Sequence, residues 1–84
     1  MVVEPPPLVV LSRGYCHLCD DMVAALRALQ ALHPFALQVR DVDDDPQLEA
    51  RYGDRVPVLL AGDEELCHFR LDPATVNAWL AKFR

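Results

Sequence analysis

Two cysteines separated by two residues, Cys16 and Cys19, form the part of the sequence best suited to chemistry. Such a pair at the start of a helix can close a small disulfide or act as one reactive centre. A thiol at a helix N-terminus lies beside unpaired backbone N–H groups and the positive end of the helix dipole, and both lower its pKa. We therefore predict that Cys16 attacks a disulfide and that Cys19, about one turn further into the helix, resolves the resulting mixed disulfide.

Charged side chains around the pair act in opposite directions. His17, when protonated, and Arg13, three residues before Cys16, favour a thiolate because a nearby positive charge stabilises it. Asp20 and Asp21 oppose that effect and raise the pKa of the thiol. The alternative for His17 and for Arg13 is an exposed side chain with little effect on the cysteines.

The length and composition indicate one small domain. The chain has 84 residues, 52% of them hydrophobic, and no apolar run approaches the roughly 20 residues that span a bilayer. We predict a single domain over residues 1–84, in which residues 1–7 form an extended, proline-containing lead-in. The first residues lack the basic and apolar segments of a signal peptide, so we expect a cytoplasmic protein without a membrane partner. We also expect a monomer.

Charge and cysteine content narrow the class of function. The net charge is −5 and no basic stripe is present, which counts against nucleic-acid binding because phosphate contacts dominate that affinity. Three cysteines are too few, and odd in number, for the disulfide scaffold of a secreted protein. The acidic clusters at residues 41–45 and 63–65 are predicted to be a solvated loop and a turn. A docking surface for a basic partner is the alternative.

The hydrophobic pattern predicts strand, helix, strand, short helix, hairpin and helix, in that order. The apolar run at residues 8–11 is typical of a strand buried on both faces. The helix that begins near Cys16 ends at His33-Pro34, because the residue before a proline is pushed out of the helical region. Asp45-Pro46 and Asp72-Pro73 each combine an N-cap aspartate with a proline at the first helical position. The apolar stripe of the first helix is predicted to contain Met22, Ala25, Leu26, Leu29 and Leu32.

The remaining strands follow from alternation and turn signals. Residues 35–42 alternate in the manner of a half-covered strand. Residues 56–60 and 65–70 are predicted to form a hairpin around Gly62-Asp63. The first two strands, joined by a helix, should pair in parallel, and the hairpin should add an antiparallel pair, with helices on both faces. The inward residues of the alternating strand are predicted to be Phe35, Leu37 and Val39.

Val56-Pro57 is a second chemical signal, because proline at this point opens an apolar strand. A trans proline that starts a strand is the ordinary interpretation. A cis peptide bond is rare and usually functional, and the upstream cysteine pair favours it here.

Together these features resemble the glutaredoxin-like branch of the thioredoxin superfamily. The resemblance rests on residues 15–19 between an apolar strand and a helix, followed about forty residues later by Val56-Pro57, a hairpin and a last helix. It implies an α/β thioredoxin/glutaredoxin-like fold, with a four-stranded mixed sheet flanked by helices and a βαβ unit before a ββα unit. It also implies a thiol–disulfide oxidoreductase, with a Cys16–Cys19 disulfide, that acts in cell redox homeostasis and electron transport.

The resemblance also implies the reactants of such an enzyme. Its substrates would be protein disulfides or glutathione mixed disulfides, and a cellular reductant would return the electrons. Glutathione would be a co-substrate, and no tightly bound cofactor or metal is expected.

The same resemblance assigns the substrate-binding residues. Pro57 would be a cis-proline facing the cysteines, and Val56 would offer backbone hydrogen bonds to an extended thiol substrate such as glutathione. Arg13 stands where many glutaredoxins carry a lysine near the glutathione carboxylate. Tyr15 would form an aromatic wall, and Asp72 lies where an acidic residue meets the glutathione amine. His17 completes the predicted substrate-binding set.

The sequence also departs from the glutaredoxin pattern. His17-Leu18 replaces Pro-Tyr between the cysteines, and Arg55 replaces the Thr that usually precedes Val-Pro. His68-Phe69 replaces a Gly-Gly pair, and these larger side chains would crowd a bound tripeptide. These differences count against efficient use of glutathione and leave the dithiol chemistry intact. Two other functions stay open: a non-catalytic adaptor on the same fold, and a metal or iron–sulfur carrier. Cys67 is predicted to be an ordinary strand residue, with a secondary redox site as the alternative.

Overall fold

The four strands and three α-helices follow one another along the chain in the order predicted from the sequence. The computed structural model describes residues 5–83. Its elements are β1 (Leu8–Ser12), α1 (His17–Leu32), β2 (Leu37–Asp41), a short 3₁₀ helix (Val42–Asp44), α2 (Pro46–Tyr52), β3 (Val58–Ala61), β4 (Glu64–His68) and α3 (Pro73–Ala81). Of the predicted lead-in, residues 1–4 lie outside the described residues, and residues 5–7 form neither helix nor strand.

The strands are arranged in the order β2-β1-β3-β4. β1 pairs with β2 in parallel, from Leu8 opposite Leu37 to Ser12 opposite Asp41. β3 runs antiparallel to β1 and to β4. The predicted four-stranded mixed sheet, with a βαβ unit followed by a ββα unit, is therefore confirmed.

Alternate residues of the two central strands point into two separate cores. On one face of the sheet, Leu8, Val10 and Leu59 pack with residues of α1 and α3. On the other face, Leu11 and Val58 pack with the 3₁₀ helix and α2. Helices thus cover both faces, as predicted, and this explains why β1 and β3 are continuous apolar runs.

Two apolar residues that were predicted to face the core are exposed. Leu32, at the end of α1, is 73% exposed, and Val39, in the middle of β2, is 46% exposed. The 16 residues of α1 extend about 24 Å, whereas the five-residue strand β1 spans about 17 Å, so the last helical turn overhangs the sheet. β2 is an edge strand whose three central residues are all exposed, so its middle lacks a cover on either face.

The predicted hairpin is present, but its second strand is shorter than expected and irregular. Glu65 lies opposite Leu60 and Cys67 lies opposite Leu59, so Leu66 is an extra residue in a β-bulge. As a result, Leu66 and Cys67 both pack against the core that contains α1 and α3. β4 ends at His68 because the next residue, Phe69, has a φ of 64°, which is incompatible with a strand.

Over residues 5–83, no helix is both long enough and apolar enough to cross a bilayer.

Candidate active site

The two cysteines of the motif lie together at the start of α1. Their sulfur atoms are at disulfide-bonding distance, and their Cα atoms are 5.2 Å apart. Cys16 is the N-cap of the helix and is partly exposed, whereas Cys19 lies in the first turn and is only 2% exposed. One sulfur is therefore open to a partner molecule while the other is held beneath it, which is the asymmetry that the predicted roles require.

The backbone of the first helical turn is directed at the outer sulfur. The N–H of Cys19 donates a hydrogen bond to Sγ of Cys16 over 3.1 Å, and the N–H of Asp20 donates to the Cys16 carbonyl oxygen over 3.1 Å. Backbone N–H groups and the helix dipole at such a position generally favour a thiolate. The fold thus supplies the local electrostatics that a nucleophilic cysteine needs.

The Val56-Pro57 motif has an unusual backbone geometry. The Val56–Pro57 peptide bond is cis, the form that the sequence favours. Pro57 is fully buried, and its carbonyl oxygen accepts a hydrogen bond from the N–H of Phe69 over 2.8 Å. Val56 is partly buried and packs against the core beneath α2, while β3 itself begins one residue after the proline.

Tyr15 and His17 flank Cys16 in the sequence and are both exposed. Tyr15 adopts a left-handed backbone conformation, with φ of 61°, and its side chain is fully exposed. His17 is the first residue of α1. Tyr15 therefore builds no wall against the rest of the described chain, and a substrate would have to reach out to its ring.

The guanidinium group of Arg13 already has partners within the described chain. It forms ion pairs with Asp43 and Glu49 and donates to the carbonyl oxygen of Gly53. These partners belong to the 3₁₀ helix, to α2 and to the C-cap of α2. A role for Arg13 at the glutathione carboxylate stays a prediction, and it would compete with these contacts.

Asp72 caps α3, as the sequence predicts. Its carboxylate accepts hydrogen bonds from the N–H groups of Ala74 and Thr75 and from the Thr75 hydroxyl, over 3.1, 3.3 and 2.9 Å. The hydrogen bond from the Thr75 side chain is the main cause of a lowered pKa of the Asp72 carboxyl. Asp72 is thus ionised and exposed, but three of its interactions already serve the helix.

Arg55, Glu65 and His68 form a polar cluster that was not predicted from the sequence. Glu65 accepts a hydrogen bond from Arg55 over 3.0 Å, and its other oxygen lies 2.9 Å from Nδ1 of His68. Burial acts to raise the pKa of Glu65, but the hydrogen bonds and charges of Arg55 and His68 outweigh it, so the pKa is lowered. Two of these residues, Arg55 and His68, depart from the glutaredoxin pattern, which was visible in the sequence. The structure brings them together.

A groove of about 180 Å³ runs between α1 and the loop that follows β4. Leu18, from within the cysteine motif, lines it together with Phe69, whose ring packs edge-on against His68 at 4.8 Å between centroids. The other lining residues are Asp21, Met22, Ala25, Arg70 and Leu71. Phe69, one of the two residues that replace the Gly-Gly pair, therefore lines the same groove as Leu18 of the cysteine motif.

The third cysteine has a different environment. Cys67 is half-buried, and burial raises the pKa of its thiol, as do the charges of Asp72 and Glu65, against a smaller opposing effect of a backbone hydrogen bond from Asp72. Among residues 5–83, no three His, Cys, Asp or Glu side chains are grouped so that they could hold a metal ion.

Similarity to known proteins extends over nearly the whole chain. The sequence profile of the family described as Glutaredoxin-like domain (DUF836) matches residues 7–81. Protein Ne2328 from Nitrosomonas europaea, solved by NMR, is 47% identical, with 94% of this chain and 95% of that chain aligned and a TM-score of 0.85. The structural genomics target XcR50 from X. campestris is 39% identical, with 89% and 96% aligned and a TM-score of 0.69.

A more distant likeness concerns the fold alone. Thioredoxin 1 from Thermosipho africanus is 18% identical, with 90% of this chain and 96% of that chain aligned and a TM-score of 0.62. The chain belongs to the family described as Glutaredoxin-like domain (DUF836), and it shares its fold with thioredoxin.

Proposed function

We propose that this protein is a thiol–disulfide oxidoreductase that reduces protein disulfides or glutathione mixed disulfides. The observation that carries the proposal is the placement of Cys16 as a partly exposed helix N-cap, with the buried Cys19 at disulfide-bonding distance. Separation of an accessible sulfur from a covered one allows attack and resolution to occur in a defined order.

The reaction consists of two thiol–disulfide exchanges. The Cys16 thiolate attacks one sulfur of the substrate disulfide, forms a mixed disulfide with it and releases the other sulfur as a thiolate. The Cys19 thiolate then attacks Sγ of Cys16, which closes the Cys16–Cys19 disulfide and releases the second substrate thiolate. The substrate gains two electrons and the protein loses two, which a cellular thiol reductant returns by the reverse exchange.

The residues around the pair have supporting roles in this proposal. The Cys19 N–H and the helix dipole stabilise the attacking thiolate, and the backbone of Val56, before the cis Pro57, pairs with an extended substrate. Tyr15 and His17 are exposed beside the nucleophile, where they contact the bound molecule. We place the reaction in the cytoplasm, as part of redox homeostasis, and assign it to the monomer, with no metal or resident cofactor.

A redox titration with matched cysteine variants tests the proposal. Titration of the wild-type protein against glutathione buffers should give a reversible two-electron couple, and this couple should disappear in Cys16→Ser and in Cys19→Ser. Mass spectrometry should detect a stable mixed disulfide on Cys16 only in Cys19→Ser. Cys67→Ser is the control and should retain the couple.

Absence of any couple and of any adduct on Cys16 would contradict the proposal. Full biological activity of the double variant Cys16→Ser/Cys19→Ser would then favour an adaptor. Metal analysis and a visible spectrum of protein purified without oxygen would identify a metal or iron–sulfur carrier.

A further inference from the structure

Arg13 connects parts of the chain that are far apart in sequence. It follows the last residue of β1 and lies three residues before Cys16. Its partners Asp43, Glu49 and Gly53 are 30 to 40 residues further along the chain. The side chain therefore joins the loop that carries the nucleophile to the segment of the chain that contains α2.

Each nitrogen of the guanidinium group has its own partner. Nε donates to Oδ1 of Asp43 over 3.3 Å, Nη1 donates to the Gly53 carbonyl oxygen over 3.3 Å, and Nη2 pairs with Oε2 of Glu49. Two carboxylates thus pair with the single positive charge, and a backbone carbonyl oxygen accepts a hydrogen bond from the remaining nitrogen. A planar guanidinium can satisfy three partners in this way, whereas a lysine ammonium presents one compact charge.

The contact of Arg13 with the Gly53 carbonyl oxygen lies close in sequence to Val56 and Pro57, the other residues of the candidate site. Gly53 is the C-cap of α2, and the chain continues from it through Arg55 to the cis Val56–Pro57 bond. The carbonyl oxygen of Pro57 in turn accepts the N–H of Phe69. Arg13 therefore fixes the start of a short segment whose end is fixed by the loop after β4.

We propose that Arg13 is a positioning residue, which holds the Cys16 loop against the segment that carries Val56 and Pro57, and that it does not bind a substrate anion. The inference rests on the proposed oxidoreductase function. Thiol–disulfide exchange needs the attacking sulfur and the bound disulfide in a defined geometry, and a misplacement of about 1 Å costs roughly a hundredfold in rate. Loss of Arg13 should impair attack on every disulfide, whatever the charge of the substrate.

Two substrates separate positioning from anion binding. One neutral peptide carries a single cysteine in mixed disulfide with glutathione, and the same peptide is also prepared in mixed disulfide with uncharged mercaptoethanol. Arg13→Met keeps most of the side-chain stem and removes the charge. We expect it to lower kcat/KM for both substrates by a similar factor, about tenfold. Arg27→Ala, which removes an exposed positive charge elsewhere on α1, should lower neither.

The partners of Arg13 provide the sharper test. Asp43→Ala with Glu49→Ala removes both ion-pair partners and leaves the guanidinium only its contact with the Gly53 carbonyl oxygen. A positioning role predicts a fall in kcat/KM for both substrates, because the anchor is lost. An anion-binding role predicts a rise for the glutathione substrate alone, because a free cation becomes available. Arg13→Lys should restore little, since an ammonium cannot hold all three partners.

The outcomes also distinguish failure of this inference from failure of the proposed function. A selective loss with the glutathione substrate in Arg13→Met, or a gain in the double variant, would overturn the positioning role while the Cys16–Cys19 couple persists. Absence of the couple in the wild-type protein would overturn the oxidoreductase proposal itself. If Arg13→Met does not fold, the double variant alone still decides, because it retains Arg13.

Discussion

The backbone N–H of Cys19 donates a hydrogen bond to Sγ of Cys16 over 3.1 Å, so the sulfur of the proposed nucleophile also caps α1. One atom would therefore serve both the start of the helix and the proposed reaction. A change at Cys16 should affect both.

Substitutions at Cys16 should separate these two effects in the reduced protein. Serine is a good N-cap and alanine is not, so Cys16→Ser should retain most of the stability and Cys16→Ala should lose about 1 kcal/mol. Both should lack mixed-disulfide formation. Urea unfolding under reducing conditions measures the difference, and equal stabilities of the two variants would show that the side chain does not cap the helix.

The two accessible thiols should differ strongly in reactivity. Burial raises the pKa of Cys67, whereas the helix N-terminus favours a thiolate on Cys16. In the reduced protein at neutral pH, an alkylating reagent should modify Cys16 first and Cys67 more than tenfold more slowly. Peptide mass mapping over time checks the order, and the rate at Cys67 should continue to rise at pH values above the ordinary pKa of a cysteine thiol. Faster modification of Cys67 would contradict this prediction.

Asp72 should make stability depend on pH. Because hydrogen bonds from Thr75 lower its pKa in the folded state, the ionised carboxylate stabilises the fold above the pKa of the unfolded chain. That contribution is lost as the pH falls below about 4 and through the folded pKa. Asp72→Asn retains a capping oxygen without a charge. Its urea midpoint should therefore decrease less than that of the wild type on acidification, and identical pH profiles would refute the coupling.

Phe69 occupies a backbone conformation that suits glycine. Its φ is 64°, and a non-glycine residue in this region costs on the order of 1–3 kcal/mol. Phe69→Ala removes the half-exposed ring and keeps the strain, whereas Phe69→Gly removes both. We expect Phe69→Gly to be about 1 kcal/mol more stable than Phe69→Ala in urea unfolding. The reverse order would show that the backbone relaxes when the ring is lost.

The same pair of variants reports on substrate access. Phe69 lines the groove that Leu18 also borders, so removal of the ring opens space beside the cysteine motif. Both variants should increase kcat/KM for a glutathione mixed disulfide by a similar factor, because neither has a ring. An increase in only one of them would point to the backbone rather than to crowding.

Local signals explain most of what could be predicted from the sequence. The helix starts at Asp45-Pro46 and Asp72-Pro73 depend on contacts within three residues, and the structure has both. The continuous apolar runs of β1 and β3 indicated two covered faces, which the two cores confirm. The proximity of Cys16 and Cys19 was also predicted from their short spacing, whereas the cis Val56–Pro57 bond was predicted because a cysteine pair lies about forty residues upstream.

Features that depend on distant parts of the chain could not be predicted in this way. Exposure of Leu32 depends on the relative lengths of α1 and β1, and exposure of Val39 depends on which strand forms the edge. Likewise, the partners of Arg13 lie 30 or more residues away, so sequence proximity to Cys16 suggested a role that its contacts do not favour. The bulge at Leu66 has no local sequence signal at all.

β4 is one of the two edges of the sheet, and the extra residue at Leu66 interrupts the regular spacing of its N–H and C=O groups. Another chain extends a sheet by pairing with a long, regular edge, and bulges and short strands are the usual means by which proteins prevent this. On this edge the strand is also ended after His68 by the left-handed turn at Phe69. The β-bulge at Leu66, which lets Cys67 pack against the core, therefore makes β4 a poor template for strand addition. It protects the folded domain from aggregation at that edge.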